Sequence, residues 1–203
     1  MCSPHSPRDI MSLDTLHREM RACRQCLDAG FHIVPGAVFS GPQSGRIMVV
    51  GQAPGIRETE IARPFSGPSG KRLFDWFSQA GWEEQNFRRN QYITAITKCF
   101  PGKGAGGRGD RVPTRGEREL CRPFLERELA LVAPDVIVPV GGVAIETFLG
   151  RGPLTARVGR CFEKDGRLVI PLPHPSGASL WLNRPENRLL VGDAIQQLRD
   201  LPT

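Results

Sequence analysis

Residues 46–55 read RIMVVGQAPG, a short apolar run closed by a glycine-rich turn. A run of this length bounded by a turn is the pattern of a strand buried on both faces. It recurs as QYITAIT from Gln91 to Thr97, VIVPV from Val136 to Val140 and LVIPL from Leu168 to Leu172. Between these runs lie helical patterns at Lys71 to Ala80, Arg115 to Val132, Val143 to Leu149 and Glu186 to Leu201, the second with Leu120, Phe124, Leu125 and Leu129 on its apolar face. Strands alternating with helices predict an α/β fold, because right-handed crossovers place helices on both faces of a parallel sheet. Pro139 marks the end of the third strand, since a proline cannot donate to a ladder. Ligands of such sheets bind beyond the carboxyl ends of the strands. GQAPG, TKC and PHPSG all occupy that position.

The chain has 203 residues, 39% hydrophobic and 24% charged. That composition fits one soluble domain, expected over residues 9–203 behind a disordered terminus at 1–8. A domain of this size buries about 70% of the surface of its unfolded chain, so bulk stability does not demand metal. No run approaches the roughly eighteen apolar residues of a membrane span. The start, MCSPHSPRDIMSLD, has neither a basic leader nor an apolar core. A cytoplasmic monomer without membrane contact is therefore expected. Twenty-seven basic residues against 21 acidic give a net charge of +6, which favours a polyanionic partner. Only Lys71, Lys98, Lys103 and Lys164 of the basic set are lysines. The arginine bias suits phosphate, although genome composition also produces it.

The six cysteines are read by spacing, because a reducing compartment disfavours a disulfide framework. Cys23 and Cys26 form a CxxC where a helical pattern of Leu13, Leu16 and Met20 ends, and Cys99 and Cys121 follow as distant singles. Two thiolates from one turn and two from remote segments complete a four-fold ligand set for a cluster or for zinc. A redox CxxC is less consistent with this sequence, as no strand precedes the motif. Cys2 and Cys161 are spares, the second expected in a strand.

The segment from Gly51 to Gly70, GQAPGIRETEIARPFSGPSG, is too long and too rich in glycine and proline for a plain connection. It reads as a binding loop offering backbone amides, the Gln52 amide, the Glu58 carboxylate and the Phe65 ring. It lacks the lysine and Ser/Thr of a phosphate-binding P-loop. Phe65 is open to two readings, core packing or base stacking. His174 stands between Pro173 and Pro175 with Ser176 following, a restrained position suited either to structure or to donating a hydrogen bond to a ligand oxygen. Residues 102–111, GKGAGGRGDR, form an exposed, positively charged loop.

Together GQAPG, RPFSGPSG, TKC, HPS and the four cysteines resemble the uracil-DNA glycosylase superfamily, most closely its iron-sulfur family four. The blocks occur in the family's order from Cys23 to the last helix. The resemblance implies a three-layer α/β/α sandwich on a central four-stranded parallel sheet, and excision of uracil, or another deaminated base, from DNA. It implies a 4Fe-4S cluster on Cys23, Cys26, Cys99 and Cys121. It places Gly51, Ala53, Pro54, Gly55, Phe65, Ala95 and Ser176 around the base and His174, Glu58 and Gln52 in catalysis. Two positions depart from the family pattern. Gln52 replaces the first-loop glutamate and cannot act as a general base, and Ala95 replaces an asparagine that reads the uracil edge. The stretch between Cys99 and Cys121 is also lengthened by GAGGRGD, and it lacks the reactive histidine of a covalently trapping relative.

Cleavage of an N-glycosidic bond builds positive charge on the sugar and negative charge on the base, so donors and a carboxylate or held water are required. A base inside a duplex must also be flipped out to react. Leu180, Trp181 and Leu182 are candidate wedges for the vacated stack, two of them expected to pack instead. Arg108, Arg111 and Arg115 are candidate phosphate contacts. The competing readings are a DNA-binding module of the same fold without catalysis, kept open by Gln52 and Ala95, and a zinc-stabilised nucleotide-binding protein.

Overall fold

In the computed structural model, residues 12–107, 109–177 and 179–201 are described. The expected disordered terminus, Cys2 and Arg108 lie outside the described residues. Five strands form one sheet: β1 (Ile47–Gly51), β2 (Tyr92–Ala95), β3 (Val136–Pro139), β4 (Phe162–Lys164) and β5 (Arg167–Val169), in the order β2-β1-β3-β5-β4. The first four in space are parallel, as the apolar runs predict. The fifth strand departs from the expected four. β4 pairs antiparallel with β5 through a tight turn whose Asp165 has φ 51° and Gly166 φ 74°. Its FEK sequence has no buried position, which is why no apolar run announced it. Cys161 precedes β4 rather than lying within it, and is exposed. The run ending at Leu172 is interrupted at Pro171, after which Leu172 rejoins β3 as a bridge to Val140.

The sheet separates two cores with the period of a pleat. Val49, Ile93, Val138 and Ile170 face α4 (Pro68–Gln79), α5 (Glu84–Asn90) and α8 (Pro185–Arg199). Met48, Val50, Tyr92 and Ile137 face α1 (Leu13–Ala22) and α6 (Arg115–Val132), with α7 (Gly142–Leu149) reaching both cores. The result is the expected three-layer sandwich. The α6 helix starts at a reciprocal cap: Glu117 N–H donates to Thr114 Oγ1 at 3.2 Å, and Thr114 N–H donates to the Glu117 carboxylate at 2.6 Å. Among the described residues no helix is long and apolar enough to cross a membrane.

Because β1 leads to β2 on one side and β3 lies on the other, the strand order reverses at β1 and opens a crevice at the carboxyl ends. The binding segment after β1 folds across it, with a short helix α3 (Ile56–Ile61) inside the stretch that reads as loop in the sequence. A further short helix, α2 (Gln25–Asp28), carries the second cysteine of the CxxC.

Candidate active site

A cavity of about 560 Å³ opens at these strand ends. Gly51 to Gly55 line it from β1, Thr94 and Ala95 from β2, Val140 from β3, and His174 and Ser176 from the segment after β5. Glu58 and Phe65 line it too, so two of the three segments singled out by sequence, GQAPG and PHPSG, meet at one site, while Thr97, Lys98 and Cys99 of TKC line the cysteine cavity instead. Ladder-like bonds join the two strand ends: Ile96 N–H donates to Gly51 O at 2.9 Å, and Thr97 N–H to Gln52 O at 3.2 Å.

Phe65 sits on a strained backbone, φ 50°, in a region that non-glycine residues rarely occupy. Its surroundings hold it there. Arg88 donates to Pro64 O at 2.7 Å and to Phe65 O at 2.8 Å, while its guanidinium lies over the Phe74 ring. Gly70 lets the first turn of α4 approach so closely that a Cβ there would lie 1.9 Å from Phe65 O. At the end of β1, a Cβ on Gly51 would lie 2.9 Å from Phe65 Cζ, so the ring packs over a bare backbone. Persistent strain of this kind marks a position that the surroundings over-determine.

Glu58 completes the clamp. One carboxylate oxygen accepts Gly55 N–H at 2.6 Å and the other accepts Ser66 N–H at 3.3 Å. Burial pushes this carboxyl above the usual range, against the backbone donors of Gly55, Phe65 and Ser66, with Asp110 adding a smaller upward push. Its acceptor capacity is directed at backbone, which fixes both ends of the binding segment.

His174 lines the cavity and is exposed, with Gly141 close against one edge of its ring. Gly141, at φ 90°, makes room for it, because a Cβ there would meet the ring at 3.2 Å. Ser176 N–H donates to His174 Nδ1 at 3.3 Å, which leaves the proton of a neutral ring on Nε2. Burial lowers the His174 pKa and Asp110 partly opposes it, which favours the neutral ring with its N–H on Nε2.

A second, smaller cavity of about 30 Å³ shares Pro101 with the first. Cys23, Cys26, Cys99 and Cys121 all line it, with Met20, Ile33 and Phe124 supplying apolar wall. Cys161 does not line it. Lys98 N–H donates to Cys121 Sγ at 3.3 Å, and the hydroxyl of Thr97 is buried in this wall without a hydrogen-bond partner. Burial raises the Cys26 thiol to about 12 and the Cys99 thiol to about 11, each pushed further by neighbouring cysteines of the set. Among the described residues no group of three His, Cys, Asp or Glu side chains is spaced to hold a single ion.

Several residues at the site escape sequence reading. Beside the cysteine cavity is a buried ion pair, Lys98 with Glu128 at 2.6 Å, in which Lys98 also donates to Thr94 Oγ1 and Ala95 O. Tyr92 and Thr94 hydroxyls complete the acceptor set of Glu128. The signal was only a lysine inside TKC and a glutamate on the nominally polar face of α6. Arg88, Gly70 and Gly141 were equally silent, each acting through backbone proximity. Arg111, a candidate phosphate contact, is instead engaged by both Glu117 carboxylate oxygens at 2.7 and 2.5 Å, and Arg115 pairs with Glu119 at 2.7 Å. Of the three candidate wedges, Trp181 and Leu182 pack against the core and Leu180 is 79% exposed.

Comparison with known sequences agrees with this arrangement. The family described as Uracil DNA glycosylase superfamily matches residues 38–199. The chain belongs to the uracil-DNA glycosylase superfamily. It is most like the type-4 family: it is 35% identical over 188 residues to the type-4 uracil-DNA glycosylase of Archaeoglobus fulgidus, covering 87% of this chain and 86% of that one. The type-4 uracil-DNA glycosylase of Sulfurisphaera tokodaii is 29% identical over 203 residues, covering 94% and 84%. That of Pyrobaculum aerophilum is 31% identical over 158 residues, covering 77% and 71%. In this family member the clamped loop and the restrained histidine border one crevice, and the cysteine cavity shares Pro101 with it.

Proposed function

We propose that the protein is a DNA glycosylase that removes uracil from DNA by hydrolysing the N-glycosidic bond, with a 4Fe-4S cluster on Cys23, Cys26, Cys99 and Cys121. The observation that carries the catalytic reading is the neutral His174 ring, with Nδ1 occupied by Ser176 and Nε2–H free to donate, in a cavity shared with the clamped Phe65 ring. A base flipped from the duplex stacks on Phe65 and places a carbonyl oxygen at His174. The donor stabilises the charge that grows on that oxygen as the bond breaks. Backbone amides of the Gly51–Gly55 segment, positioned by Glu58, surround the base. Gln52 orients groups through its amide without taking a proton. Ala95 leaves the pyrimidine edge to backbone at the end of β2, where Lys98 fixes the Ala95 carbonyl. Leu180 fills the gap left in the DNA stack.

The cysteine cavity fits a cluster on three counts: four sulfurs around one void, a backbone amide aimed at a sulfur, and a buried hydroxyl with no protein partner. Tetrahedral zinc would draw its ligands to about 4 Å from one another, a spacing that a wider polynuclear cage does not need. The group supplies a rigid cross-link that joins α2, the Cys99 segment and α6 next to the DNA-facing cavity.

The test is release of free uracil from single- and double-stranded oligonucleotides by purified protein, with iron content and absorbance measured on the same sample. A brown protein with a band near ~400 nm that is lost in Cys121→Ser, together with uracil release, is the expected result. A colourless, zinc-containing protein would remove the cluster. Tight DNA binding with no base released would favour a binding module.

A further inference from the structure

We propose that Asp110, presented by the glycine-rich 102–111 loop, is the catalytic carboxylate of this enzyme, holding and deprotonating the water that attacks the sugar. The inference rests on the glycosylase reading above. Of the described residues lining the large cavity, only Glu58 and Asp110 are acidic. Glu58 directs both oxygens at backbone N–H groups, and Gln52 occupies the first-loop position without a basic oxygen. Asp110 differs from both. Lys103 donates to its Oδ1 at 2.8 Å, while Oδ2 lies 3.1 Å from the point a Cβ on Gly55 would occupy. The carboxylate therefore lies against the loop after β1, with one oxygen held by Lys103 and the other close to Gly55. Its side chain is 41% exposed, so water reaches it.

The loop is built to present that group. Lys103 and Asp110 form an antiparallel bridge, Gly104 N–H donates to Gly109 O at 3.1 Å, and Arg111 N–H to Gly102 O at 3.0 Å. Glu117, in the first turn of α6, grips Arg111 and ties down the returning strand. Asp110 lines the same cavity as Glu58 and His174.

In the step so assigned, the C1′–N1 bond breaks and its electron pair leaves with uracil, whose carbonyl oxygen accepts the His174 hydrogen bond. The water oxygen bonds to C1′, and its proton passes to Asp110 Oδ2 and then to solvent. Uracil takes up a solvent proton. The negative carboxylate also opposes the positive charge on the sugar before water arrives.

Single-turnover uracil release at saturating enzyme, with the affinity for uracil-containing DNA measured beside it, tests the assignment. Asp110→Asn is expected to slow release ~100-fold or more. DNA affinity should stay equal or tighten, because a negative charge facing the phosphates is gone. Asp110→Glu recovers part of the rate. Lys103→Met breaks the same ion pair yet keeps the carboxylate, and loses less than about tenfold. A wild-type rate in Asp110→Asn, or equal losses in Asp110→Asn and Lys103→Met, overturns the assignment alone. Wild-type protein that releases no uracil overturns the glycosylase reading and this assignment with it.

Discussion

Two glycine-rich stretches border the same cavity and are held in opposite ways. The segment from Gly51 to Gly70 is fixed from every side: Glu58 binds its backbone N–H groups, Arg88 its carbonyls, and α4 approaches through Gly70 until no further atom fits. The 102–111 loop is anchored at its end by the Arg111–Glu117 ion pair, but its tip rests on the half-exposed Lys103–Asp110 pair and a few hairpin bonds, with Gly102, Gly106, Gly107 and Gly109 at positive φ and open space around the last three. The difference fits the task proposed for each. A stacking ring must meet a flipped base in one geometry, so it is preorganised at the cost of backbone strain. A carboxylate delivered over a bound sugar needs an approach that admits DNA first.

The contrast breaks most severely at Gly70. Gly70→Ala sets a Cβ against the Phe65 carbonyl, and a loss of about 3 kcal/mol in stability is expected from overpacking, with excision lost alongside. Urea unfolding and uracil release check both; a variant as stable and active as wild type would mean that the loop is not clamped. Phe65→Ala should be milder. Removing the ring forfeits about 1–3 kcal/mol of base stacking, a ~10- to 100-fold drop in release with the melting temperature little changed. Gly106→Ala sharpens the other half of the comparison. Its φ of 70° strains an alanine by about 1 kcal/mol, but nothing lies within 4 Å, so excision should stay within about threefold of wild type.

The smallest effect lies outside both loops and is read by pH. His17 Nε2 is 2.8 Å from the Tyr92 hydroxyl, and burial, with Arg21 adding to it, lowers its pKa to about 4. A histidine whose folded value is depressed stabilises the fold fully above its unfolded value of about 6.5, and that contribution fades as pH falls toward 4. The melting temperature of wild type should therefore decline more between pH 6.5 and 4 than that of His17→Gln. Equal declines would exclude His17 as the source.

The parallel strands and the main helices were legible because each buries an apolar face with a clear period, as at Met48 and Val49 on opposite cores. α6 matched its expected bounds, Arg115 to Val132. β4 was hidden because an exposed edge strand needs no apolar residue. The short α3 and α5 were hidden by length, as six and seven residues scarcely establish a period. At the site, many of the side chains that line the cavity could be named from sequence, whereas those that hold them in place could not. Phe65 has a recognisable neighbourhood in RPFSG, but nothing in the sequence connects it to Arg88, twenty-three positions away. Lys98 and Glu128 meet only because β2 packs under α6.

The central claim is that a neutral, prolines-flanked histidine turns this crevice into a uracil-excising site. Single-turnover release of uracil by wild type and His174→Ala, on the same oligonucleotide and with equal iron content, tests it most directly. The account predicts measurable release by wild type, a ~100-fold slower rate in the variant and nearly unchanged DNA affinity, since phosphate contacts dominate binding. Equal rates in the two proteins would contradict it.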